Sequence, residues 1–168
     1  MVNMELLLQG SARKHPKIKT LKQMLKKKAD LHCLALELPE DIDISVVICG
    51  DQEIQALNAQ WRDEDKATDV LSFPMVDDWD TFGPGQPLGD VVISIEYAER
   101  LATTTTHRAR VAQELGVELE SLEWGLEQEV EFLFIHSLLH LVGHDHAEPE
   151  EEAEMKDEER RLWLCSRV

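Results

Sequence analysis

The stretch "EQEVEFLFIHSLLHLV", Glu127 to Val142, is apolar on nearly every face when wound at helical spacing. A helix of that kind has no solvent side, so the rest of the chain must wall it in, and it reads as the buried centre of the fold. Gly143 follows directly and suits the position that stops a helix. Within "FIHSLLHLVGHDH", Phe134 to His146, lie four of the chain's seven histidines. A core-forming segment gains nothing in packing from groups that titrate near neutrality, so their spacing has to account for them.

His136 and His140 are four residues apart, about 6 Å of rise and about 40° of rotation on a helix, so both imidazoles project from one face. They offer half of a tetrahedral zinc shell. Gly143 lacks Cβ and can take a left-handed conformation that turns the chain back, bringing His146 from the other side. The pattern is His136-x3-His140-x2-Gly143-x2-His146. Three uncoordinated imidazoles buried together would leave several polar atoms unpaired, at about 1–3 kcal/mol each. With an open fourth position the set reads as catalytic rather than structural. The spacing matches zinc proteases of the metzincin type, but those carry a glutamate base directly after the first histidine, where this chain has Ser137; peptide hydrolysis is demoted. His144 is expected to play a supporting or surface role, and Asp145 either to orient an imidazole or to sit in an exposed turn.

Around this helix, "MELLLQ" (4–9), "ISVVICG" (44–50), "TDVLSFPM" (68–75) and "DVVISI" (90–95) read as strands, the third an edge because Pro74 cannot donate to a central ladder. Helices are expected over 15–36, over 51–62 with Asp51 as N-cap, from Glu96 into four successive threonines, and from the acidic run Glu148–Glu154 through Met155 to Leu164. Residues 106–125 read as helix interrupted near Gly116 and Gly125, and the Gly/Pro/Asp segment 77–89 as a long loop. The order implies an α+β fold, a mixed, mostly parallel four-stranded sheet covered by helices, in one domain over 1–168.

Cys33, Cys49 and Cys165 are odd in number and unpatterned, which points to reduced thiols in a cytoplasmic protein. No apolar run approaches a membrane span. The net charge of −17 argues against a nucleic-acid partner, except that residues 1–28 carry eight Lys/Arg against one acid, Glu5, a segment that reads first as the solvated face of a helix and second as an RNA contact.

Three segments, "LNAQWRDEDKATDVLSFP" (57–74), "LGDVVIS" (88–94) and "HSLLHLVGHDH" (136–146), occur together in an order that resembles the YbeY family of bacterial endoribonucleases. Ser137 stands where that family usually has glycine, and His144 where tyrosine or tryptophan is frequent; residues 103–124 form a longer stretch than is typical. The resemblance implies a zincin-like fold, one zinc ion on His136, His140 and His146, and His136 and Arg62 as residues needed for RNA cleavage. It further implies single-stranded ribosomal RNA precursors as substrate, in 16S rRNA 3′-end maturation and ribosome quality control, with the small ribosomal subunit and its proteins as partners. A guanidinium fits that role because its planar donors match phosphate oxygens. Two other readings stand beside it: a metal-stabilised ribosome-assembly factor with little catalysis, and a metal-dependent hydrolase of peptides or small molecules. Lys26, Lys27 and Lys28 are expected to add salt-sensitive RNA affinity; neutralising them flattens the slope of log affinity against log salt, and an unchanged slope refutes the contact.

Overall fold

The computed structural model describes residues 1–167. Strands β1 (Asn3–Leu8), β2 (Asp43–Cys49), β3 (Val70–Pro74) and β4 (Pro87–Ser94) form one sheet in the order β1-β2-β4-β3. β1, β2 and β4 run parallel, and β3 pairs antiparallel with β4 alone, so Pro74 does lie on an edge. The expected mixed, mostly parallel four-stranded sheet is therefore the one observed. β4 begins earlier than its β-branched run suggests, because residues 87–89 gain partners on Asp43, Ile44 and Pro74.

Six helices complete the fold: α1 (Ile18–Ala35), α2 (Asp51–Arg62), α3 (Ile95–Thr103), α4 (Thr105–Leu115), α5 (Leu126–Leu141) and α6 (Pro149–Cys165). α1 starts later than expected, since Gly10–Lys14 forms a 3-10 turn and Pro16 lies in the bend after it. The N-cap of α2 is Gly50, not Asp51; the Glu53 carboxylate accepts the Gly50 N–H at 2.9 Å. Asp51 is instead drawn sideways, where it accepts the Ser94 hydroxyl at 2.8 Å and pairs with Arg100 at 2.7 Å. The threonine run breaks at Thr104, in an extended conformation that separates α3 from α4, and Gly116 ends α4 at φ +70°.

One face of the sheet (Ile44, Val46, Ile48, Val91, Ile93) packs on α1 through Leu21 and Leu25 and on α5 through Val130, Phe134 and Leu138. The far side of α5 is closed by α4 and α6, with Ile135 and Leu139 against Val111, Met155, Leu162 and Trp163. The all-round apolar helix is thus enclosed on all sides. α2 lies on the opposite face of the sheet, over Cys49, Leu71 and Val92. Burial pushes the Cys33 and Cys49 thiols up to about 12, so both stay protonated; Cys165 is exposed, and all three are free. No helix among the described residues is long and apolar enough to cross a membrane.

Glu131, on α5, is a buried charge in this apolar setting. It accepts from His32 of α1 at 3.1 Å and from both the Ser166 hydroxyl and the Arg167 guanidinium at 3.0 and 2.9 Å. Lys28 joins it at 3.7 Å and donates to the Ser166 carbonyl, so this lysine is tied internally rather than presented to a phosphate. Burial pushes the Glu131 carboxyl up, but the His32 and Arg167 hydrogen bonds and the two nearby cations outweigh it and hold the pKa at about 2. Because that value lies below the unfolded one, the stabilisation is complete above about pH 4.5 and disappears as pH falls toward 2. Glu131→Gln is expected to cost about 3 kcal/mol at neutral pH, with the difference from wild type closing below pH 3; urea titrations across pH measure it.

Candidate metal centre and adjoining cleft

The last turns of α5 deliver His136 and His140, and the chain then reverses. Gly143 takes φ +101°, its N–H bonds the His140 carbonyl, and the His144 N–H bonds the Leu139 carbonyl. This is the Schellman pattern of paired 5→2 and 6→1 bonds, and the reversed chain carries His146 back over the helix end. One ligand atom from each of His136, His140 and His146 lies within 4.8 Å of the others. The three histidines singled out in the sequence are thus brought together.

The tautomers follow from the partners. His136 Nδ1 lies 2.7 Å from a carboxylate oxygen of Glu159, and His140 Nδ1 lies 2.9 Å from the His144 carbonyl oxygen. Both partners only accept, so each Nδ1 carries the hydrogen and each Nε2 of a neutral ring presents a lone pair. The two Nε2 atoms face each other at 3.2 Å. Two lone pairs at that distance repel unless a cation lies between them. Two nitrogens about 2.1 Å from one ion at a tetrahedral angle would stand about 3.4 Å apart, so the donor set fits a metal. The C-terminal end of α5 adds its own negative potential. Burial, and next the His136 ring, hold the His140 pKa below the ordinary imidazole value, which favours the neutral, ligating form.

Glu159 escaped the sequence reading because it lies 23 residues from His136 on another helix. A signal existed: Met155, Glu159 and Leu162 share the buried face of α6, and an acid there needs a partner. Met155 is buried beside His136. The supporting role of His144 comes from its backbone carbonyl rather than its ring. The Asp145 carboxylate accepts the His146 backbone N–H at 2.7 Å, so it shapes the turn and orients no imidazole. Ser137 is fully buried, with its hydroxyl 2.6 Å from that of Ser72. It ties α5 to β3, and no acid occupies the place of a peptidase base.

A cleft of about 520 Å³ opens beside the histidines, walled by Arg62, residues 68–72 of β3 and its lead-in, and the turn 143–146. Arg62 ends α2 and donates to the Ser72 carbonyl at 2.9 Å, so the exposed edge strand holds the guanidinium at the cleft wall. Asp69 accepts the Val70 N–H at 2.8 Å and organises the start of β3. On the other side of His136 a smaller cavity, about 180 Å³, is bounded by α4 through Arg110 and Glu114 and by α6 through Lys156 and Glu159. Burial, and after it the Glu159 charge, raise the Glu114 carboxyl above its ordinary range. The segment 103–124, most of it read from the sequence as an interrupted helix, is pinned here: His107 lies 2.9 and 3.0 Å from the two Glu129 oxygens, and Trp124 donates to Glu129 at 2.7 Å.

The chain is similar in sequence to known proteins. The family described as "Endoribonuclease YbeY" matches residues 9–164. A protein of that name from Alkaliphilus metalliredigens is 42% identical over 139 residues, covering 81% of this chain and 79% of its own. One from Aquifex aeolicus is 40% identical over 152 residues, covering 90% and 87%. Another, from Nautilia profundicola, is 40% identical over 119 residues, covering 71% and 70%. With the match running from just after β1 into α6 and spanning every histidine of the centre, the chain belongs to the YbeY endoribonuclease family.

Proposed function

We propose that this chain is a zinc-dependent, single-strand-specific endoribonuclease that acts on ribosomal RNA precursors, in 16S rRNA 3′-end maturation and quality control. The observation that carries the reading is the pair of facing Nε2 atoms at 3.2 Å, across a cleft from a guanidinium held on an exposed strand edge. Three imidazoles suit zinc or another first-row transition ion and not magnesium or calcium, which prefer oxygen. His136, His140 and His146 would hold the zinc ion, which would supply Lewis acidity at the cleft.

The chain's own residues perform the rest. Glu159 keeps the His136 proton on Nδ1 and its lone pair on Nε2. The His144 carbonyl does the same for His140. Arg62 has further N–H donors beyond the one given to Ser72, and these bind the phosphodiester and stabilise charge developing on its oxygens. The same groups serve whether the attacking oxygen is that of water or of the RNA 2′-hydroxyl, since negative charge accumulates on the phosphoryl oxygens in both cases. The open edge of β3 gives an extended single strand a surface to follow. Ribosomal precursors bound to the small subunit and its proteins fit a chain whose net charge of −17 repels free RNA and favours a partner that presents it. Free, high-pKa thiols suit the cytoplasm.

Purified protein is expected to cut single-stranded RNA and to stop on addition of a chelator. His136→Ala is expected to abolish cleavage, and Arg62→Ala to lower kcat about 10²- to 10³-fold with folding retained. Variants that cut as fast as wild type refute the nuclease reading. Wild type that binds small subunits but leaves RNA intact favours the assembly-factor reading instead.

Glu159→Gln is expected to weaken zinc affinity about 10- to 100-fold, measured by competition with a chromogenic chelator. Unchanged affinity removes Glu159 from the centre.

A further inference from the structure

α2 does not cover its face of the sheet completely. Beside the small cluster it seals, a groove of about 760 Å³ runs across the strands, lined by Leu7, Val47, Leu57, Trp61, Phe73 and Met75 among others. Trp61 is 61% exposed although it is the largest apolar side chain on the helix. Its indole meets the Phe73 ring edge-on, with centroids 6.2 Å apart at 71°. The Arg62 guanidinium lies 5.9 Å from the centre of that same Phe73 ring on its way to Ser72.

Trp61 and Arg62 are consecutive, so the end of α2 presents an indole to the groove and a cation to the histidine cleft. Pro74 lines both, so the two spaces adjoin at the end of β3. The polar groups of the groove are Gln9, Ser45, Glu53 and Asp90, with no cation among them. A phosphate is repelled there. What suits the groove is a flat, uncharged, polarizable group attached to a backbone that passes Arg62.

We propose that Trp61 and Phe73 form a stacking platform for one unpaired nucleobase of the RNA whose phosphate is held at Arg62. The proposal rests on the ribonuclease reading above and adds a base-binding subsite to it. In a duplex both faces of each base are already stacked on its neighbours, so the platform admits only a base that has left the helix. That gives the cleft a physical basis for choosing single strands. Base-on-aromatic stacking tolerates any base, and its loss weakens binding roughly five- to hundredfold per base.

The test is steady-state cleavage of a short single-stranded RNA by the zinc-loaded protein. Trp61→Ala is expected to raise KM about tenfold with kcat nearly unchanged. Trp61→Phe restores most of the affinity, whereas Trp61→Leu, apolar but without a π-face, does not. An abasic nucleotide scanned through the substrate raises the wild-type KM at one position and has no further effect there in Trp61→Ala.

A KM indifferent to all three substitutions while RNA is still cut overturns the platform. So does a Trp61→Ala protein that cuts RNA normally but no longer sediments with small subunits, which makes the groove a protein contact. If wild type cuts no RNA, the nuclease reading fails by itself. The platform is then decided separately by whether single-stranded oligonucleotide quenches tryptophan fluorescence in Trp79→Phe protein and fails to do so once Trp61→Phe is added.

Discussion

The enclosure of α5 is the constraint from which the rest of the structure follows. A helix apolar on all sides is stable only when α1, α4, α6 and the sheet all pack against it, and that packing leaves its rotation and position no freedom. His136 and His140 inherit this rigidity at its C-terminal end. Their directions are set by the packing of the fully buried Phe134, Ile135, Leu138 and Leu139 around them. The buried Glu131 cluster adds a directional lock at the other face, tying α5 to α1 and to the chain's C-terminal end.

The polar design of the centre is sparse and complete. Each of the two helical imidazoles has one nitrogen bound to an acceptor, Glu159 or the His144 carbonyl, and the other left free toward a common point. The serine pair Ser72–Ser137 then fixes the strand edge against the same helix, and Ser72 uses its carbonyl to hold Arg62. A single strand residue therefore links the histidine-bearing helix to the Arg62 guanidinium. The position where zinc proteases of similar spacing carry their base serves here as a tie between helix and strand, which accounts physically for a different chemistry.

Much of this was legible in the chain because the controlling signals are local. Helical spacing at 136 and 140, the conformational freedom of Gly143, the β-branched strands and the edge proline each act within a few residues. The misjudged elements show where local signals end. β4 is longer than its apolar run because neighbouring strands supply the ladder partners. Asp51 lost the cap because Arg100 and Ser94, more than forty residues away, offered its carboxylate a stronger set of bonds. The segment 103–124 carries weak periodicity and gains its place through His107 and Trp124 on a glutamate of α5.

What the sequence determined by itself was the periodicity of its apolar residues and the covalent spacing of its histidines, and these suffice for the helix, its stop and a candidate ligand set. Which nitrogen of each ring faces inward was decided only by tertiary structure, because Glu159 arrives on a separate helix and hydrogen bonds of that kind have no sequence period. The same holds for the place of Arg62. An arginine at a helix end is commonplace, and only the arrival of β3 beside α5 turns it into one wall of a cleft whose other wall is the histidines.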